Sequence, residues 1–196
     1  MMLVGSIGAY MTDMDSASNV MSIGNNTIEI VENFQPPEGG YKGGEVIPKE
    51  VKVTNIESVP CYVRVYLEST YNERDIVYIN NTVDDYLQHI PFDVVFSDWF
   101  VGVDGWYYYS KPLDVGESTT NLIDSVKYLY DNDWYYLRDI DIYVYSESIQ
   151  DLKASSEINR NDFITEEEFN VACTKLNWEK YNRNKPKEVL PLESAN

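Results

Sequence analysis

Hydrophobic and polar positions alternate along two runs between residues 51 and 68, separated by a short polar turn at 56–60. Val51 and Val53 fall on one face, with Lys52 and Thr54 on the other. Beyond the turn, Cys61, Val63, Val65 and Leu67 oppose Tyr62, Arg64, Tyr66 and Glu68. A period of two predicts a pair of strands whose sheet has one dry face and one wet face. Further strand patterns lie at 26–32, 75–79, 92–96 and 99–101. Asp104-Gly105 predicts a tight hairpin turn into 106–110, because such turns need positive φ angles. Residues 119–126 read as a strand or a short helix. Residues 134–149 read as a long return strand, with Ile140, Ile142 and Val144 on one face and Asp141, Tyr143 and Tyr145 on the other. A brief helix is expected at 83–90, stopped by Pro91. Thr165 followed by Glu168 is a capping box. It opens a helix over 166–177 with Phe169, Ala172, Cys173 and Leu176 in one stripe, expected to pack on the edge or end of the sheets. Seven or more short strands between turn signals predict an all-β fold, an antiparallel sandwich or barrel with short helices and a C-terminal helix.

Composition adds limits. A chain of 196 residues suits one domain of ordinary size. Its 33 acidic against 15 basic residues give a formal net charge of −18, which repels phosphate backbones and anionic bilayers. Nucleic acid is therefore not an expected partner. No apolar run of ~20 residues is present to span a membrane as a helix. Basic residues collect near the C-terminus, at Lys175, Lys180, Arg183, Lys185 and Lys187, as a tail that is either solvated or in contact with an acidic neighbouring copy or a wall polymer. Cys61 and Cys173 are not in metal-ligand spacing. They are either separate thiols, with Cys61 a small core residue, or a single disulfide.

Candidate chemistry is sparse. His89 is the one histidine, so an HExxH zinc site is impossible and a Ser-His-Asp triad would have to use it. Gly39-Gly40 and Gly43-Gly44 lack the context of a phosphate loop. Asp13/Asp15 and Asp131/Asp133 could offer oxygen ligands to calcium but lack the spacing of an EF-hand. Asp139/Asp141 invite comparison with a glycosidase pair, against the plainer reading of a solvated strand face. No catalytic, metal or cofactor residue is assigned, and an enzyme is not expected. Aromatic residues are the stronger signal, with 17 Tyr and four Trp. Trp106, Tyr108, Trp134 and Tyr136 are the candidate aromatic contacts. Their strand faces serve cross-strand packing, sugar stacking or self-association.

Several ordered motifs carry a resemblance. Ala9-Tyr10 leads into Thr12-Asp13, Asp15, Ala17 and Asn19; then come Gly44-Glu45 with Lys49, Val53 and Asn55. Tyr62-Val63-Arg64-Val65 follows, then Asp104-Gly105-Trp106-Tyr107, Leu113 to Leu122, and Ile142 to Gln150. Together they resemble the TasA/camelysin-like surface proteins of Gram-positive bacteria, exported through an alternate signal peptidase. Met11 stands where that family usually has Phe, and residues 71–98 form a divergent insertion. The resemblance implies a jelly-roll-like sandwich and a secreted, non-catalytic cell-surface or extracellular-matrix protein, a fibre-forming subunit of a biofilm matrix. Residues 1–9 then read as a signal-peptide remnant cleaved between Ala9 and Tyr10. Residues 10–24 become an N-terminal mature segment, 25–150 the sandwich, and 151–196 the C-terminal helix and basic tail. The implied partners are other copies or matrix subunits, reached by donating the segment that holds Tyr10, Thr12, Val20, Met21 and Ile23. The alternative is a carbohydrate-binding jelly-roll module that meets wall polymer or glycan through its aromatic strand faces.

Overall fold

The computed structural model describes residues 8–10, 18–23, 26–34, 43–56, 59–69, 76–129, 141–150, 152 and 154–184. These form two antiparallel sheets and a C-terminal helix, the all-β sandwich that the alternation predicts. The strands are β1 (Gly8–Tyr10), β2 (Ser18–Ile23), β3 (Asn26–Phe34), β4 (Val46–Asn55), β5 (Cys61–Ser69) and β6 (Ile76–Ile79). They continue with β7 (Val95–Phe96), β8 (Trp99–Val101), β9 (Tyr107–Tyr109), β10 (Ile123–Tyr128) and β11 (Asp141–Gln150). One sheet has the order β1-β11-β5-β9-β8-β7 and the other β2-β3-β4-β10-β6. The helix, α1, spans Glu166–Asn184. Among the described residues no helix is long and apolar enough to cross a membrane.

Alternation builds the interior. Ile28 and Ile30 of β3, Val51 and Val53 of β4, and Cys61, Val63 and Val65 of β5 all point between the sheets. Ile142 and Val144 of β11 meet them there. This is the arrangement that a period-two pattern writes, with apolar side chains from two inner faces interdigitating.

A second apolar layer lies outside the six-stranded sheet. Tyr62, Phe100, Tyr108 and Ile149 form a cluster with Trp178 of α1, joined at its margin by Trp106, Val171 and Tyr181. The first half of β5 is consequently buried on both faces, and the wet face expected there belongs only to its second half. The molecule is a three-layer stack of sheet, sheet and helix.

Other departures have local causes. The helix expected at 83–90 is only a 3₁₀ turn over Leu87–His89. Asp85 accepts from its neighbour Tyr86 N–H, and Asn80 accepts from Thr82, so side chains offer the backbone turn partners in place of a helical ladder. Leu87 alone is buried. α1 runs on to Asn184, past the expected end at 177. Its capping box is present: Thr165 Oγ1 accepts from Glu168 N–H, and Glu168 accepts from Thr165 N–H. Residues 119–126 resolve into Thr119 and Thr120 preceding strand β10. The upstream part of the long return strand, at 134–140, lies outside the described residues.

Candidate functional site

Register across β9, β5 and β11 sorts the outer face of the six-stranded sheet into rows. Arg64 stands opposite Tyr108 on one side and Glu147 on the other. Tyr66 is opposite Tyr145, and Glu68 opposite Tyr143. Trp106, two residues before Tyr108, extends the Tyr66 row. Because side chains alternate, all of these project to the same side.

The Arg64 row lies under α1. Its guanidinium carbon sits 4.2 Å from the ring centroid of Trp106 and 4.2 Å from that of Trp178, so the cation is held between two indoles. Nε donates to Glu147 Oε2 at 2.8 Å, and Nη2 donates to the same oxygen. Nη1 donates to the Tyr108 hydroxyl at 3.3 Å, which in turn donates to Asp104 Oδ2 at 2.6 Å. Burial, with help from the Asp104 contact, pushes the Tyr108 phenol up to about 12. Arg64 is thus neutralised, hydrogen-bonded and stacked, which is what allows a buried guanidinium.

Among the described residues no helix covers the next row. Trp106 and Tyr66 have ring centroids 5.5 Å apart, Tyr66 and Tyr145 6.3 Å, and Tyr145 and Tyr143 6.5 Å. Tyr66 is exposed, Trp106, Tyr143 and Tyr145 are half-buried, and the Tyr145 hydroxyl lies 3.3 Å from Glu68 Oε2. Burial and the Glu68 carboxylate both raise the Tyr145 phenol above its ordinary value. The Asp104-Gly105 turn that positions Trp106 forms as expected, with Gly105 at φ +80°. Gly102 at its base permits close packing: a Cβ there would lie 2.6 Å from both Tyr108 Cε2 and Asp104 Oδ1.

The residues singled out from sequence fall as follows. Trp106 joins the exposed row, whereas Tyr108 is buried against Phe100 (centroids 5.3 Å) and Trp178 (5.9 Å) and presents no open ring. Trp134 and Tyr136 lie outside the described residues, as do Thr12, Asp13, Asp15, Asp131, Asp133 and Asp139. Ala9 and Tyr10 are in β1, opposite Ile142 and Asp141 at the edge of the six-stranded sheet. Val20, Met21 and Ile23 are in β2, opposite Glu29, Ile28 and Asn26 at the edge of the other sheet. Cys61 and Cys173 are both buried and are not joined in a disulfide. His89 is exposed and paired with Asp85 at 2.9 Å.

Sequence reasoning missed Arg64, Tyr66, Glu147 and Trp178 as one group. The signal was present in part, since a single Arg amid outward-facing Tyr in β5 mirrors the outward Tyr of β11. What fold and site together define is an all-β sandwich whose outer sheet face is half capped by a helix and half open. Comparison with protein-family models, curated proteins and solved structures finds no match to this chain.

Proposed function

We propose that this chain is a secreted, non-catalytic cell-surface or matrix subunit that assembles into fibres by exchanging the N-terminal segment that holds β2. One observation supports the reading. β2, which follows the expected cleavage point, is the edge strand of the five-stranded sheet and pairs only with β3. Its partner β3 is a long strand of nine residues. Without β2 it would present a row of unpaired backbone groups, a template for a strand from another chain.

Exchange costs little in contacts, because the same pairings form whether the strands come from one chain or two. Protein concentration then sets the balance. A subunit that gives its strand to the next copy and receives from the previous one makes a head-to-tail contact that does not close, and such contacts build filaments.

The test is size-exclusion chromatography with light scattering, followed by negative-stain microscopy, on a chain beginning at Tyr10 and one beginning at Ile23. The proposal expects concentration-dependent oligomers or filaments from the longer chain alone. Two monomeric species over a wide concentration range would overturn it.

A further inference from the structure

The exposed aromatic row has an internal precedent for its ligand. On the adjoining row the same sheet face holds a guanidinium, Arg64, between Trp106 and Trp178, with Glu147 and Asp104 as its counter-charges. The open row repeats the aromatic and carboxylate parts and lacks the cation. Tyr66, Tyr145 and Tyr143 continue the line of rings, and Glu68 stands beside them as an exposed carboxylate. Among the described residues Glu68 has no basic partner; it receives the Tyr145 hydroxyl.

We propose that this row is a docking surface for a basic peptide segment of a partner protein, whose Arg or Lys side chains lie on the Tyr66 and Tyr145 rings and reach Glu68. Three observations select that occupant. Aromatic faces attract cations through the ring quadrupole, Arg above all. The whole chain carries a formal charge of −18, so its field draws a basic segment in. A cleft of about 390 Å³ borders the row, sharing Tyr66 and Glu68 with it and reaching Tyr107 and Ile90, and it offers room for an aliphatic stem.

Strand addition at the neighbouring edge is blocked, which leaves recognition to side chains. Gln88 lines the cleft and occupies the free side of β6: its Oε1 accepts from Tyr78 N–H at 3.1 Å, and its Nε2 donates to Ile76 O at 3.1 Å. The inference stands apart from strand exchange, since the rings and the carboxylate it uses belong to β5, β11 and the turn into β9.

The experiment is calorimetric titration of the full chain with an end-capped (Arg-Gly)₃ peptide at low salt, with a chitohexaose titration alongside. Saturable binding of the peptide is expected, weakening as NaCl is raised. Tyr66→Leu and Glu68→Gln should each weaken it about fivefold, the size of one exposed cation–π or charge contact. Glu167→Gln, an exposed carboxylate at the start of α1, should leave it unchanged and so separates docking from general attraction to an acidic protein. Glu68→Gln changes an exposed residue and keeps the test valid should Tyr66→Leu disturb folding. No saturable binding, equal effects of Glu68→Gln and Glu167→Gln, or binding of chitohexaose in place of the peptide would overturn the proposal. The last outcome would make the row a glycan platform.

Discussion

Lys49 and Glu32 place an ion pair inside the sandwich, and removing half of it should be among the most damaging single changes in the chain. Lys49 of β4 is 1% exposed and Glu32 of β3 is 5% exposed, both facing inward beside Phe34. Nζ donates to Oε2 at 2.5 Å, while Oε1 has no hydrogen-bond partner among the described residues. Two charges have therefore left water with their lone pairs and protons only partly satisfied. Under those conditions Coulomb attraction and desolvation nearly offset each other, and the pair adds little net stability. Lys49→Met leaves a buried carboxylate without its counter-charge and should cost about 3–5 kcal/mol. Against a typical total of about 5–15 kcal/mol, that is a large share of the fold's stability. Adding Glu32→Met removes the stranded charge, so the double variant should recover to the parent level or exceed it by about 1–4 kcal/mol. Urea unfolding of the parent, both single variants and the double variant closes the cycle and yields the coupling directly. A cost below about 1 kcal/mol for Lys49→Met, with no coupling to Glu32, would mean that the pair is solvated and refute the reasoning.

Four further outcomes test the second apolar layer and the interior. Arg64→Lys keeps the charge but loses the planar group between Trp106 and Trp178, and should cost about 2–3 kcal/mol in urea unfolding, with weaker near-ultraviolet dichroism. Gly102→Ala would drive a Cβ into the edge of the Tyr108 ring, which Phe100 and Trp178 hold in place, and should cost about 1–3 kcal/mol by the same measurement. Burial pushes the Cys61 thiol from its ordinary 9.0 up to about 12, so it should resist thiol reagents at pH 8.5 until the protein unfolds. Because the folded values of Cys61 and Tyr108 are both raised, the unfolded chain loses these protons first; stability is intact below about pH 9 and falls as pH rises toward 12. Urea midpoints at pH 7, 9 and 11 should show that loss, and Cys61→Ala should flatten its lower part.

The interior of the sandwich was legible because its strands obey one rule. Wherever Val, Ile and Cys alternate with polar residues, as in β4 and β5, the alternation gave the element, its inward face and its place in a sheet. Turn chemistry was equally readable at Asp104-Gly105, where a positive φ was required and Gly supplies it. The brief helix failed because Asn80 and Asp85 satisfy local backbone groups, a competition that an apolar pattern does not register.

The candidate site was hidden for a related reason. The stripe Phe169, Ala172, Cys173 and Leu176 only grazes the docked face of α1, where Cys173, Thr174, Asn177 and Trp178 are buried. Thr174 donates to Ser110 O at 2.9 Å, and Asn177 accepts from Leu152 N–H at 2.7 Å. Polar residues with backbone partners can face a protein interior at little cost, so a helix built this way shows almost no apolar side in its sequence. Arg64 compounds the disguise, since it occupies a position that alternation assigns to water. Only the pairing of β5 with β9 and β11, set by contacts far apart in the chain, brings Glu147, Tyr108 and Trp106 around it. The face that looked uniformly wet is divided by that single cation. On one side a helix covers the rings, and on the other Tyr66 and Glu68 are exposed.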